Sequence, residues 1–164
     1  MGQVVSETKL ISCRGEWKRD GRVVVCASGA FDLLHPGHIR LLERARGLGD
    51  ILLVAVESDA AVRRRSRTVG SPGKGPLRPV MPATERGEVL AALAAVDFVV
   101  LFEESSPGEF LARLAPDIVV EGRAATRVDR HARPEAARSR FVHIPPEPGY
   151  STAGLLARIS SLEE

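Results

Sequence analysis

Two histidines three residues apart, His35 and His38, stand in the stretch GAFDLLHPGH at residues 29–38. An apolar run precedes them and a helical pattern follows, so the pair falls where a strand gives way to a helix. At such a junction Gly29 and Gly37 let the backbone come close to a ligand. The opening turn of the helix offers N–H groups and a positive dipole end to an anion. A three-residue spacing can bring both imidazoles to one side, where their N–H groups donate to the same phosphoryl oxygens. Zinc is the weaker alternative, because a helical His pair for zinc wants a spacing of four and a further carboxylate or Cys ligand. A single His here would read as a capped or solvated loop residue. Two of them flanking Pro36 and Gly37, after Phe31 and Asp32, point to phosphate chemistry.

The elements that must position this pair are legible as short apolar runs at residues 23–26, 51–56, 98–102, 118–120 and 141–144. Most are β-branched with little alternation, the pattern of parallel strands covered on both faces. Between them lie helical patterns: HIRLLERARGLG, with Ile39, Leu42, Ala45 and Leu48 on one stripe, then ATERGEVLAALAAVD and PGEFLARLA. Ser106, Pro107 and Glu109 form a capping box at the start of the last of these, and Pro116 ends it. Strand and helix alternate, which predicts an α/β chain: a single Rossmann-like domain over residues 1–164, with a five-stranded parallel sheet and helices on both faces. The His pair then sits at the carboxyl end of a central strand, where open α/β sheets bind ligands. Residues 1–21 read as an N-terminal helical extension. Residues 63–82, rich in Gly, Pro and Arg, read as a basic flexible loop that could close over phosphates or stay solvated.

A chain of 164 residues with 44% hydrophobic content can bury one core. A net charge of +2 and only 4% aromatic residues argue against a nucleic-acid binder that stacks bases. No stretch has the roughly 18 uncharged apolar residues of a membrane span, and the start shows no signal-peptide core, so the expected compartment is the cytoplasm, with neither membrane nor nucleic acid as partner. Cys13 and Cys26 lack metal-type spacing and read as structural thiols.

The pattern GxFDxxHxGH, carried by Gly29, Phe31, Asp32, His35, Gly37 and His38, resembles the signature of the HxGH nucleotidyltransferases. Within that superfamily the chain resembles the bacterial adenylyltransferases that activate heptose 1-phosphate. The blocks LGDILLVAVESDAAV, KGPLRPVMPATERGEVLAALAAVDFVVLFEESSP and LAPDIVVEG extend the similarity from about Leu10 to the C-terminus. The resemblance implies in-line attack of a sugar phosphate on the α-phosphorus of a nucleoside triphosphate, with pyrophosphate leaving and no covalent enzyme intermediate. It implies catalytic roles for His35, His38 and Lys74, and nucleotide contacts from Gly29, Ala30, Phe31, Gly37, His38, Ser151 and Thr152. Substrate contacts are implied for Asp32, Arg78, Arg86 and Glu121. Mg²⁺, bound mainly through the triphosphate, is the implied cofactor, with no protein metal cage, and a homodimer is the implied assembly.

Two departures bear on the acceptor. Where relatives carry Lys-Gly-Gly after the fourth strand, this chain reads Glu121, Gly122, Arg123, and where they carry Thr-Asn-Gly it reads Ala27, Ser28, Gly29. Two rival readings stay open: a cytidylyltransferase using CTP on glycerol 3-phosphate or a similar polyol phosphate, and a non-catalytic nucleotide-binding relative.

Overall fold

A computed structural model describes residues 1–69, 78–103, 107–122 and 139–162. In chain order it contains β1 (Gln3–Val4), α1 (Glu7–Arg19), β2 (Val24–Gly29), α2 (Pro36–Arg46), β3 (Ile51–Glu57), α3 (Asp59–Val69), α4 (Ala83–Ala91), β4 (Phe98–Phe102), α5 (Pro107–Leu114), β5 (Ile118–Glu121), β6 (Arg140–His143) and α6 (Thr152–Ser160). The capping Ser106, the Lys74 segment and the stretch 123–138 lie outside the described residues.

The strands form one all-parallel sheet in the order β1-β4-β3-β2-β5-β6. Side chains alternate between its faces. Leu52, Val54 and Val56 of β3 join Leu42 and Ala45 of α2 and Leu90 of α4 in one core layer. Leu53 and Ala55 join Leu10 of α1 and Phe110 and Leu114 of α5 in the other. Both faces are therefore covered, which is why the strands carry near-continuous apolar runs.

Register is set at the amino ends by three aspartates, each just ahead of a strand. Asp50, before β3, accepts from Val23 N at 2.7 Å; Asp97, before β4, accepts from Leu52 N at 2.8 Å; Asp117, before β5, accepts from Val24 N at 2.8 Å. Each satisfies an N–H at or next to the start of the neighbouring strand.

Two expectations need correction. The sheet has six strands, not five, because the two residues of β1 pair with Phe98 and Val99 of β4. A two-residue strand carries no periodicity of its own. It is placed by Gly2, whose N–H donates to Ala91 O at 2.8 Å and at which a Cβ would stand 2.5 Å from Val96 O. The basic segment expected to be loop from residue 63 begins as helix, since α3 runs to Val69. Arg is a good helix former, Asp59 occupies the first turn where negative charge is favoured, and the Gly and Pro residues start only at Gly70. The N-terminal helix α1 does form, and its Leu10, fully buried, is part of the core.

Candidate active site

From β2 the chain moves outward through β3 to β4 and then returns to the other side of β2 as β5 and β6. Strand order thus reverses between β2 and β5, and the crevice beyond their carboxyl ends is where such sheets take ligands. The signature residues leave β2 into this crevice.

Phe31 makes the turn with φ +47°, a left-handed conformation that costs a non-glycine residue about 1–3 kcal/mol. Its ring is buried over Gly29, where a Cβ would lie 3.2 Å from the ring, and sits 5.4 Å from the His38 ring. His35 takes the N-cap position of α2 with extended backbone, and Pro36 follows at the first helical position, where its missing N–H costs nothing. The His35 and His38 rings stack with centroids 3.8 Å apart and planes 14° from parallel. Tyr150 stands beyond His35 at 6.3 Å, and the Arg40 guanidinium lies 5.5 Å from the Tyr150 ring centre. Glu147 holds Arg40 at 2.6 Å. Gly37 is packed between these groups: a Cβ there would stand 3.1 Å from both His35 Nδ1 and Tyr150 Cβ.

Both imidazoles are disfavoured as cations. Burial, reinforced by the charges of His35 and Arg78, pulls His38 down to about 4, and burial lowers His35. Nδ1 of each ring is buried without a hydrogen-bond partner. Such atoms in a crevice at a helix N-terminus are polar capacity that a ligand can complete.

Asp32 and Arg86, both expected at the substrates, are turned inward. Asp32 is 1% exposed; one carboxylate oxygen accepts from Val80 N at 2.7 Å and Met81 N at 3.1 Å, and the other from Arg78 Nε at 3.1 Å. Arg86, also 1% exposed, donates to the carbonyls of Ala30, Met81 and Glu57 and to the carboxylate of Asp59. These contacts occupy four of a guanidinium's five N–H donors. Arg86 therefore ties together the ends of β2 and β3, the start of α3 and the segment before α4, with one of its five N–H donors left over. Its stripe gives a signal for this, because Arg86, Gly87, Leu90 and Ala91 lie at helical spacing and are all buried.

Arg78, its side chain 28% exposed, pairs with Asp32 at 3.1 Å, and its charge helps to lower the His38 imidazole. Ser151 caps α6 by accepting from Gly154 N at 3.0 Å, with Thr152 partly buried at the first helical position. Glu121 closes β5 beside His143 in register, next to Gly122, where a Cβ would strike Leu41 of α2 at 2.9 Å. In α3, Arg63 and Arg64 are exposed and Arg65 pairs with Glu57 at 2.5 Å. Cys26 is buried within the sheet, its thiol pushed up to about 12 by burial, so it is no nucleophile. Sequence reasoning missed the Tyr150, Arg40 and Glu147 brace, in which Arg40 stands 107 residues before Glu147 and joins it and Tyr150 only through tertiary packing. No group of three or more His, Cys, Asp or Glu that could hold a metal occurs among the described residues, and none of their helices is long and apolar enough to cross a membrane.

Residues 26–153 match the cytidylyltransferase-like family. The chain is 39% identical over 164 residues to the bifunctional protein HldE of Rhodopseudomonas palustris (strain BisB18), covering 94% of this chain and 32% of that one. It is 45% identical over 120 residues to the protein of the same name from Koribacter versatilis, covering 73% and 23%. The chain thus spans about a third or less of the length of these relatives. Among solved structures, the lipopolysaccharide core biosynthesis protein of Thermoplasma volcanium superposes with a TM-score of 0.60 at 24% identity, covering 77% of this chain and 99% of that one. The pantoate-beta-alanine ligase of Francisella tularensis superposes at 0.59 with 14% identity, covering 90% and 69%. Both likenesses concern the fold. With the complete signature in the crevice and the family match running through it, this chain belongs to the cytidylyltransferase-like family, the HxGH nucleotidyltransferases.

Proposed function

We propose that the protein transfers a nucleoside monophosphate, AMP from ATP, to a small sugar phosphate such as heptose 1-phosphate. The observation that carries this reading is the stacked, neutral His35–His38 pair with its unpartnered nitrogens at the N-terminus of α2. An acceptor phosphate oxygen attacks the α-phosphorus, the bond from that phosphorus to the bridging oxygen breaks, and pyrophosphate leaves. Such transfer needs positioning and charge stabilisation more than covalent help. His35 and His38 donate N–H groups to the phosphates, the N-terminus of α2 faces the developing charge, and Lys74 supplies a further cation. The backbone of Gly29, Ala30, Phe31 and Gly37 lines the nucleotide, and Ser151 and Thr152 receive a triphosphate oxygen at the start of α6. Mg²⁺ would be held mainly through the triphosphate and would supply charge neutralisation for the departing pyrophosphate. The protein works as a homodimer in the cytoplasm. Support for ATP comes from the resemblance of the RPVMPATER and AAVDFVVLFEE blocks to the heptose enzymes.

The family's description favours a second reading, CTP with a polyol phosphate such as glycerol 3-phosphate. Pyrophosphate release with Mg²⁺, across ATP and CTP crossed with sugar and polyol phosphates, tests both. Release confined to ATP and a sugar phosphate is the expected result. Release confined to CTP moves the second reading ahead. Nucleotide binding without release from any pair overturns catalysis and leaves a nucleotide-binding relative, with Glu121 as the first residue to revert.

A further inference from the structure

The carboxylate of Asp32 belongs to the signature yet is fully buried, so it reaches the crevice only through other groups. It fastens three groups of the segment that returns to the site ahead of α4: the N–H groups of Val80 and Met81, and Arg78 through Nε. The same segment is held from the far side by Arg86, which bonds Met81 O and Ala30 O. Residues 30–32 and 78–81 are thereby stitched into one platform. Arg78 is held only at Nε; its two terminal nitrogens have no hydrogen-bond partner among the described residues, and its charge is felt by His38. A guanidinium anchored at one nitrogen presents the other two as a fixed fork, which suits phosphate oxygens.

We infer that Asp32 is a positioning residue: by gripping Arg78 at Nε it aims the two terminal nitrogens at the phosphates bound beside His38, and so sets affinity for a polyphosphate that it never touches. What binds beside His38 rests on the proposed function; the grip itself does not.

The test is a double-mutant cycle on the full chain, read by calorimetric binding of inorganic tripolyphosphate, ATP and CTP, with a thermal melt of every variant. In Asp32→Asn the amide oxygen still accepts from Val80 and Met81, so the platform stays while the anionic grip on Nε goes. The expected result is a melting temperature near wild type and tripolyphosphate binding about tenfold weaker in Asp32→Asn and in Arg78→Met. The double variant should be no weaker than Arg78→Met alone. Losses that multiply, or wild-type binding by Asp32→Asn, overturn the inference, as does a wild-type protein that binds none of the three probes. Should Asp32→Asn fail to fold, Arg78→Lys decides: a lysine has one nitrogen, which cannot be held at Asp32 and also serve as the fork. Binding at the Arg78→Met level supports the grip, and wild-type binding overturns it. A protein that binds tripolyphosphate but releases no pyrophosphate refutes the transferase reading, while the cycle still decides the role of Asp32.

Discussion

Arg86 and the His35–His38 pair are polar groups taken from water within a few residues of the same strand ends, and they are treated in opposite ways. The guanidinium meets four acceptors on four segments and is sealed. The imidazoles keep buried Nδ1 atoms without partners and stack on each other, which disfavours charging both. A satisfied buried charge is a strut; unsatisfied buried nitrogens in a crevice are a site. The contrast separates the polar residues of the signature region that hold the backbone from those whose hydrogen-bonding capacity is left unused by the fold.

The largest effect should come from the strut. Arg86→Met leaves the carboxylate of Asp59 and three carbonyls without their donor and is expected to cost about 3–5 kcal/mol in urea unfolding. A loss under 1 kcal/mol would mean that those acceptors find water and that Arg86 is free for substrate. Next comes the site. His38→Ala should change the unfolding free energy by no more than about 1 kcal/mol, because the buried Nδ1 has no hydrogen-bond partner to lose, yet lower pyrophosphate release about a hundred- to a thousandfold. Equal turnover in variant and wild type would remove His38 from the chemistry and erase the contrast.

The fold and the family signature are legible in the sequence where a pattern is local. The β-branched runs, the helical stripe of α2 and the full GxFDxxHxGH signature each lie within a dozen residues. Legibility fails where partners are distant. Nothing near Asp32 announces a bond to residue 80, and an arginine in the first turn of a helix looks exposed until β2 and β3 are placed around it. The end of α3 is hidden for another reason: the Gly and Pro that begin at Gly70 give residues 63–82 the composition of a loop, although the Arg residues before them favour helix.

The smallest of the expected effects separates strut from site by pH. The folded His38 sits near 4 against an ordinary 6.5, so between those values the unfolded chain binds more protons and stability rises with pH. The contribution of the neutral imidazole is complete above about 6.5 and is lost as pH falls toward 4. Urea unfolding at pH 7 and pH 5 should show a larger loss for wild type than for His38→Ala; identical losses would mean that His38 protonates freely in the fold. Tripolyphosphate, which favours the charged imidazole, should flatten the wild-type dependence.

The reversal of strand order beside β2 also dictates when the site can exist during synthesis. Val24 N takes its carboxylate partner from Asp117, 93 residues later, and β5 forms the second wall of the crevice only after that. A nascent chain halted before Asp117 carries both histidines but half a cleft. The crevice is therefore complete only late in translation, and variants that slow the long-range pairing of β2 with β5 should delay the gain of pyrophosphate release on refolding more than the gain of helix.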